Sequence, residues 1–147
     1  MFIGNYRHSV DEKQRLKLPS SFRQKIVEDT VVLAKGDGGT GHITLYPLKT
    51  WNDYIEPLQK KALRDYKYRQ YIRMKYASAS EVRMDSQGRI LIPKSLLDFS
   101  LIERDVEIIG VGDYVELWAP ENFEKEVESS EEVSADFLDY MARQERE

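Results

Sequence analysis

The amino-acid sequence predicts an α+β fold in which two pseudo-repeated halves build one β-rich body and the helices lie at its periphery. Two internal echoes carry this expectation. Residues Asp11–Phe22 reappear as Asp85–Leu96 at an offset of 74, each copy reading aspartate, three residues, arginine, apolar-x-apolar, proline, with a serine two positions past the proline. Residues Leu45–Trp51 return as Leu117–Phe123 at an offset of 72. Between these markers β-branched apolar runs alternate with segments at helical spacing, so each half should follow one plan: strand, turn, strand, short helix, strand, turn, strand, helix.

The elements can be justified in chain order. His8 falls in the first strand and leads to the first repeated turn. There Asp11, like Asp85 in the second copy, can accept a hydrogen bond from the backbone two residues on, and Gly88 supplies a positive φ at no steric cost. The first copy has Gln14 where the second has Gly88, which asks for a different or strained first turn. Pro19 and Pro93 end the next strands and open short helices, a place where a missing N–H costs little. Val31–Ala34 and Val106–Ile109 read as matching strands. Lys35–His42 is rich in glycine but lacks the Gly-Lys-Ser/Thr ending of a phosphate loop, so it reads as a hairpin connection.

Helices follow. Thr50 is the expected N-cap of a helix whose Trp51, Tyr54, Ile55 and Leu58 share an apolar face, with a kink or an early proline-tolerant turn at Pro57. A second helix is expected from Asp65 to Tyr76, burying its tyrosine rings and leaving its lysines and arginines in water. Pro120 opens another through Phe123 and Val127, with a break at Ser129-Ser130. Beyond it Val133, Phe137, Leu138 and Met141 form an apolar stripe expected to pack on its own domain, with a neighbouring subunit as the competing cover. The organisation is thus a first repeat over 1–60, a helical connector over 61–79, a second repeat over 80–128 and an acidic helical extension over 129–147.

Composition narrows the function. With 41% hydrophobic and 33% charged residues the chain can bury a core and stay soluble. It has no cysteine and two histidines, His8 and His42, neither at ligand spacing from a partner, so no metal site or cofactor is expected. The N-terminus lacks the apolar run of a signal peptide and no stretch is long enough to cross a bilayer, which places the chain in the cytoplasm, away from membranes. The net charge of −4 is unevenly spread: residues 1–25 carry +4, residues 60–76 carry +6, and residues 121–147 carry −7. An acidic tail therefore masks a basic body able to meet nucleic acid.

One arginine after a tight turn is commonly a solvated side chain or the partner of its aspartate. Recurrence of Arg15 as Arg89 weakens that reading, because two related turns would present two guanidinium forks from one surface, suited to phosphate or guanine edges. Asp11 and Asp85 are turn-fixing residues that also hold these arginines. No nucleophile lies near them, so acid–base catalysis is not expected and the chain reads as no enzyme.

The start Met1–Asp11, the two Asp-x-x-x-Arg turns, Gly88–Pro93 and Ile108–Trp118 together resemble the MraZ family, over Met1 to about Phe123. The resemblance implies a tandem AbrB-like, double-ψ-type swapped-hairpin barrel whose halves pair as a pseudo-dimer. It implies a cytoplasmic, nucleoid-associated transcriptional regulator that binds short repeated boxes in double-stranded promoter DNA upstream of the division and cell-wall gene cluster. It further implies assembly with itself as a ring homo-oligomer. By position, Arg15 and Arg89 would contact DNA, with Lys13 and Lys17 assisting. A ring-forming protein-interaction scaffold without specific DNA binding is the alternative.

Overall fold

The structure, a computed structural model, describes residues 1–38, 41–134 and 136–146. The first half holds β1 (Phe2–Ser9), β2 (Arg15–Lys17), α1 (Ser20–Arg23), a 3-10 turn (Val27–Asp29), β3 (Thr30–Lys35), β4 (Ile43–Pro47) and α2 (Leu48–Ala62). After α3 (Tyr66–Ser78) the plan repeats as β5 (Ser80–Arg83), β6 (Arg89–Leu91), α4 (Lys94–Ser100), β7 (Asp105–Gly112), β8 (Val115–Trp118) and α5 (Pro120–Ser134), and α6 (Phe137–Glu145) closes the chain.

An antiparallel six-stranded sheet runs in the order β1-β7-β8-β4-β3-β5, and β2 pairs with β6 in a separate two-stranded ribbon. Each half forms its own hairpin, β3–β4 or β7–β8, but lends its leading strand to the other half: β1 lies on β7 and β5 on β3. The edge strands β1 and β5 turn into β2 and β6, which pair with each other, so the ribbon links the two ends of the sheet. This is the α+β swapped-hairpin barrel the sequence leads one to expect.

A pseudo-two-fold axis relates the halves. It passes between Leu16 and Ile90, which are paired in the ribbon, and between Thr44 and Glu116, which are paired where β4 meets β8. Matching bonds flank it: Val10 N–H donates to Arg104 O at 2.8 Å, and Met84 N–H donates to Asp29 O at 2.7 Å. Inside, Leu16, Leu18, Phe22, Leu33, Leu45, Ile90, Ile92, Ile108 and Leu117 are almost completely buried and come from both halves. Neither half could cover its apolar residues alone, which is the physical reason the repeat folds as one unit.

A second apolar layer covers the outer face of β3 and β4, where Val32, Ala34 and Tyr46 meet Trp51 and Ile55 of α2 and Ile72 of α3. Here the structure corrects the expected helix start. Thr50 is not the N-cap; Pro47 is, with φ −55°, and α2 follows β4 without a linker because proline already holds a helix-compatible φ. The helix runs through Pro57 to Ala62. Asp65 caps α3, its carboxylate accepting from Lys67 N–H at 2.9 Å.

The α3 side chains depart from simple amphipathicity. Lys75 is buried, donating to Lys35 O at 2.7 Å and to Asp37 at 3.3 Å, while Tyr66 and Tyr76 are exposed. The ammonium is tolerated there because it is paired and hydrogen-bonded, tying α3 to the β3–β4 connection. The expected hairpin connection is present, since β3 and β4 are antiparallel neighbours, though residues 39 and 40 lie outside the described residues.

The C-terminal helices differ most. No break occurs at Ser129-Ser130: α5 runs through both, and the Ser130 hydroxyl is absorbed by donating to Glu126 O one turn back at 2.8 Å. The apolar stripe does not pack on its own domain: Val133, Phe137, Leu138 and Met141 are 62%, 45%, 73% and 40% exposed, and neither α5 nor α6 has a buried residue among those described. None of the described helices is long and apolar enough to cross a membrane.

Candidate nucleic-acid interface

The two Asp-x-x-x-Arg turns are built alike, bond for bond. Asp11 Oδ1 accepts from Lys13 N–H at 2.9 Å and from Arg15 N–H at 3.0 Å, and Asp85 Oδ1 accepts from Gln87 N–H and Arg89 N–H, both at 2.9 Å. The aspartate N–H donates to the arginine carbonyl at 2.9 Å in each copy, and Gln14 N–H and Gly88 N–H donate to the aspartate carbonyl at 3.0 Å. One short carboxylate thus fixes a whole turn, a bond a serine hydroxyl makes more weakly and without a second oxygen for the arginine.

The remaining oxygen, Oδ2, takes the arginine Nε–H, at 2.9 Å from Arg15 to Asp11 and 2.8 Å from Arg89 to Asp85. The pair holds each guanidinium by its inner nitrogen, and among the described residues the terminal nitrogens of Arg15 and Arg89 make no hydrogen bond. Arg89 Nη1 also lies 4.0 Å from Asp11, so the two turns are electrostatic neighbours. The backbone N–H groups of Arg15 and Lys13 and the Arg15 guanidinium hold the Asp11 carboxyl below its ordinary range, and Asp85 is held down likewise by Arg89 and Gln87. Both aspartates are therefore ionised at neutral pH.

The first turn is not a different turn. Gln14 takes φ +65° where Gly88 takes φ +76°, so the same left-handed conformation is reached by a residue with a Cβ and carries its strain. The reason glycine stands at 88 is partly tertiary: an added Cβ there would collide with Arg23, whose Cδ lies over the turn and whose Nη1 donates to Gln87 O at 3.2 Å. Leu97 occupies the place of Arg23 in the other half.

The ribbon brings the turns together. Arg15 pairs with Leu91 and Lys17 with Arg89 across β2 and β6. Because side chains alternate along a strand, Leu16 and Ile90 point into the barrel, and Arg15, Lys17, Arg89 and Leu91 share the outer face. Lys13 is exposed on the turn before it. Crosswise bonds lock the ribbon, from Leu18 N–H to Gly88 O at 3.0 Å and from Ile92 N–H to Gln14 O at 2.9 Å. The arrangement can present cationic forks from a rigid platform; Arg23 joins it, a residue that local sequence reasoning does not single out.

Comparison with known proteins agrees with this architecture. The model of the MraZ protein family, described as antitoxin-like, matches residues 1–73 and 76–143, close to the two structural halves. Similar proteins include the transcriptional regulator MraZ of Clostridium acetobutylicum, 36% identical over 92% of this chain and 93% of that one. The protein of the same name from Caldicellulosiruptor bescii is 39% identical over 92% of both chains, and that of Acetivibrio thermocellus is 38% identical over 94% of both. A solution structure from Pyrococcus horikoshii aligns with 82% of this chain at 15% identity and a TM-score of 0.36, too distant to bear on the site. With the family model covering nearly the whole chain and relatives matching more than nine-tenths of it, the chain belongs to the MraZ family.

Proposed function

We propose that this chain is a DNA-binding transcriptional regulator, without enzymatic activity, which recognises repeated promoter boxes upstream of the division and cell-wall gene cluster. The observation that carries the reading is the duplicated turn: two guanidinium groups held by Nε on one outer face, with their terminal nitrogens available to phosphate or to the O6 and N7 edge of guanine. Lys13 and Lys17 extend the same face and would contribute phosphate contacts. Asp11, Asp85 and Gly88 serve by shaping the turns. The names of its relatives, transcriptional regulators, support the class of function.

Subunits associate with themselves in this reading, as a ring homo-oligomer at the nucleoid, so that neighbouring subunits engage successive boxes and weak single contacts gain through linkage. The exposed stripe of α5 and α6 supports self-association. The acidic C-terminal extension, residues 129–147, and the connector, 61–79, stand beside the two repeats as separate functional parts of the chain.

Fluorescence anisotropy with DNA from upstream of the chain's own gene, against scrambled DNA and across a salt series, tests the reading. Preferential binding that weakens steeply with salt, and is reduced at least about tenfold in a folded Arg15→Ala/Arg89→Ala variant, is the expected result. Equal or absent binding to both DNAs would instead favour the protein-interaction scaffold.

A further inference from the structure

The two halves share a backbone plan but not a surface, and the difference is concentrated beside the ribbon. In the first half, β1, β2 and α1 border an open crevice of about 400 Å³ whose polar lining is Tyr6, His8, Lys17, Ser20, Ser21 and Arg23. Carried to the second half by the 74-residue offset, the same six positions are Ser80, Val82, Leu91, Lys94, Ser95 and Leu97. Two cations and an imidazole in one copy stand where the other has leucine, leucine and valine.

Several details fit the first-half crevice to an oxyanion. Among the described residues that line it no carboxylate appears, so its cations are not neutralised from within. Lys17 belongs both to the crevice and to the outer face of the ribbon, directly across from Arg89. Arg23 is clamped rather than mobile: its aliphatic stem lies over Gly88, Nη1 donates to Gln87 O, and Nε is buried with no partner among the described residues. The buried Nε is out of reach from outside, but Nη1 spends one bond on Gln87 O and Nη2 makes none among the described residues, so the outer edge of the fixed guanidinium is left for an external anion. The Tyr6 and Ser21 hydroxyls, 3.4 Å apart, and the exposed Ser20 hydroxyl add neutral donors. The His8 ring is fixed through Nδ1 on Lys17 O, which orients it beside the same opening.

We infer that this crevice is a binding subsite for a backbone phosphodiester of DNA, present on the first half only, and that it sets the direction in which the ribbon lies along the duplex. The inference rests on the DNA-binding reading and adds to it a residue, Arg23, and a polarity. Phosphate contacts carry no sequence information but fix register and orientation. A pseudo-symmetric ribbon flanked on one side by such a contact and on the other by Leu91 and Leu97 reads its box one way round.

The test uses the full chain with Lys17→Met/Arg23→Met, because methionine keeps the aliphatic packing over Gly88 while removing the charge and, at 23, the bond to Gln87 O. A thermal melt confirms that the variant folds, and Lys94→Met, at the second-half counterpart of Ser20, serves as the comparison. Affinity for the chain's own upstream DNA is measured against salt, and phosphate-ethylation interference is mapped on each box. The expected result is interference on one flank of each box in the native chain, its loss in the double variant, and a slope of log K against log salt shallower by roughly 1 per cation removed. Lys94→Met should change neither the flank nor the slope by as much. Unchanged slope and interference in the folded double variant, or interference on both flanks of the native complex, would overturn the crevice while leaving DNA binding intact. If the native chain binds its own upstream DNA no better than scrambled DNA, the regulator reading falls first and the subsite with it.

Discussion

Gly88 and Gln14 occupy one conformation with two different consequences. At 88 a side chain meets both the left-handed backbone and the stem of Arg23, whereas at 14 the Cβ is already accommodated and only the backbone is strained. Gly88→Ala should therefore destabilise the chain by about 1–2 kcal/mol, the cost of a non-glycine residue in that region with some displacement of Arg23 added. Gln14→Gly should be neutral or stabilising by up to about 1 kcal/mol, because relief of strain works against the extra freedom glycine gives the unfolded chain. Urea unfolding of both variants decides it. Equal losses at the two sites would mean that Arg23 does not restrict the second turn.

At the scale of elements, the seam where β4 meets β8 carries a buried polar cluster. His42 stacks on Trp118 at 4.5 Å and its Nε2 lies 3.1 Å from Glu116, whose other oxygen accepts from Trp118 Nε1–H at 3.1 Å. Burial pushes the Glu116 carboxyl up, but the hydrogen bonds from His42 and Trp118 outweigh it, and the carboxyl ends below its ordinary value. A carboxyl lowered in the folded state stabilises fully above its unfolded value, near pH 4.3, and that stabilisation fades as pH falls through the lower folded value. The native chain should thus lose stability from about pH 5 downward more steeply than Glu116→Gln, as followed by tryptophan fluorescence in urea at stepped pH. Parallel profiles would show that Glu116 does not couple the seam to pH. What the sequence discloses follows the same scale. The repeated turns, Pro19, Pro93 and the strand plan are legible because each rests on contacts within a few residues. The Arg23 crevice, the buried Lys75 and the true start of α2 depend on what lies opposite, which no local pattern reports. Even so, a signal for the crevice exists in the alignment of the halves: Lys17 aligns with Leu91 and Arg23 with Leu97, breaking the repeat in charge at those two positions.

For the molecule as a whole, the decisive asymmetry is that two long helices, α2 and α3, bury the outer face of the first hairpin, while α6 leaves its apolar stripe open. In the first half α2 and α3 bury the outer face of β3 and β4, whereas Ile3 of β1 and Val111 of β7 stay 66% and 38% exposed and α6 buries nothing. An apolar stripe beside ten acidic residues in the last 27 would be a liability on a solitary subunit, which makes it the first surface to test for the proposed self-association. A chain ending at Ser134 separates fold from assembly, because removing α6 takes away no buried side chain among those described. Its unfolding midpoint at low concentration should stay within a few degrees of the full chain's, while light scattering reports a smaller species. Affinity for DNA holding one box should then be nearly unchanged, and affinity for DNA holding several boxes should fall by about tenfold or more, since only the linked sites lose their effective concentration. A shortened chain that keeps its mass and its preference for multiple boxes would place the subunit contact elsewhere on the barrel, with the exposed face of β1 as the next surface to vary.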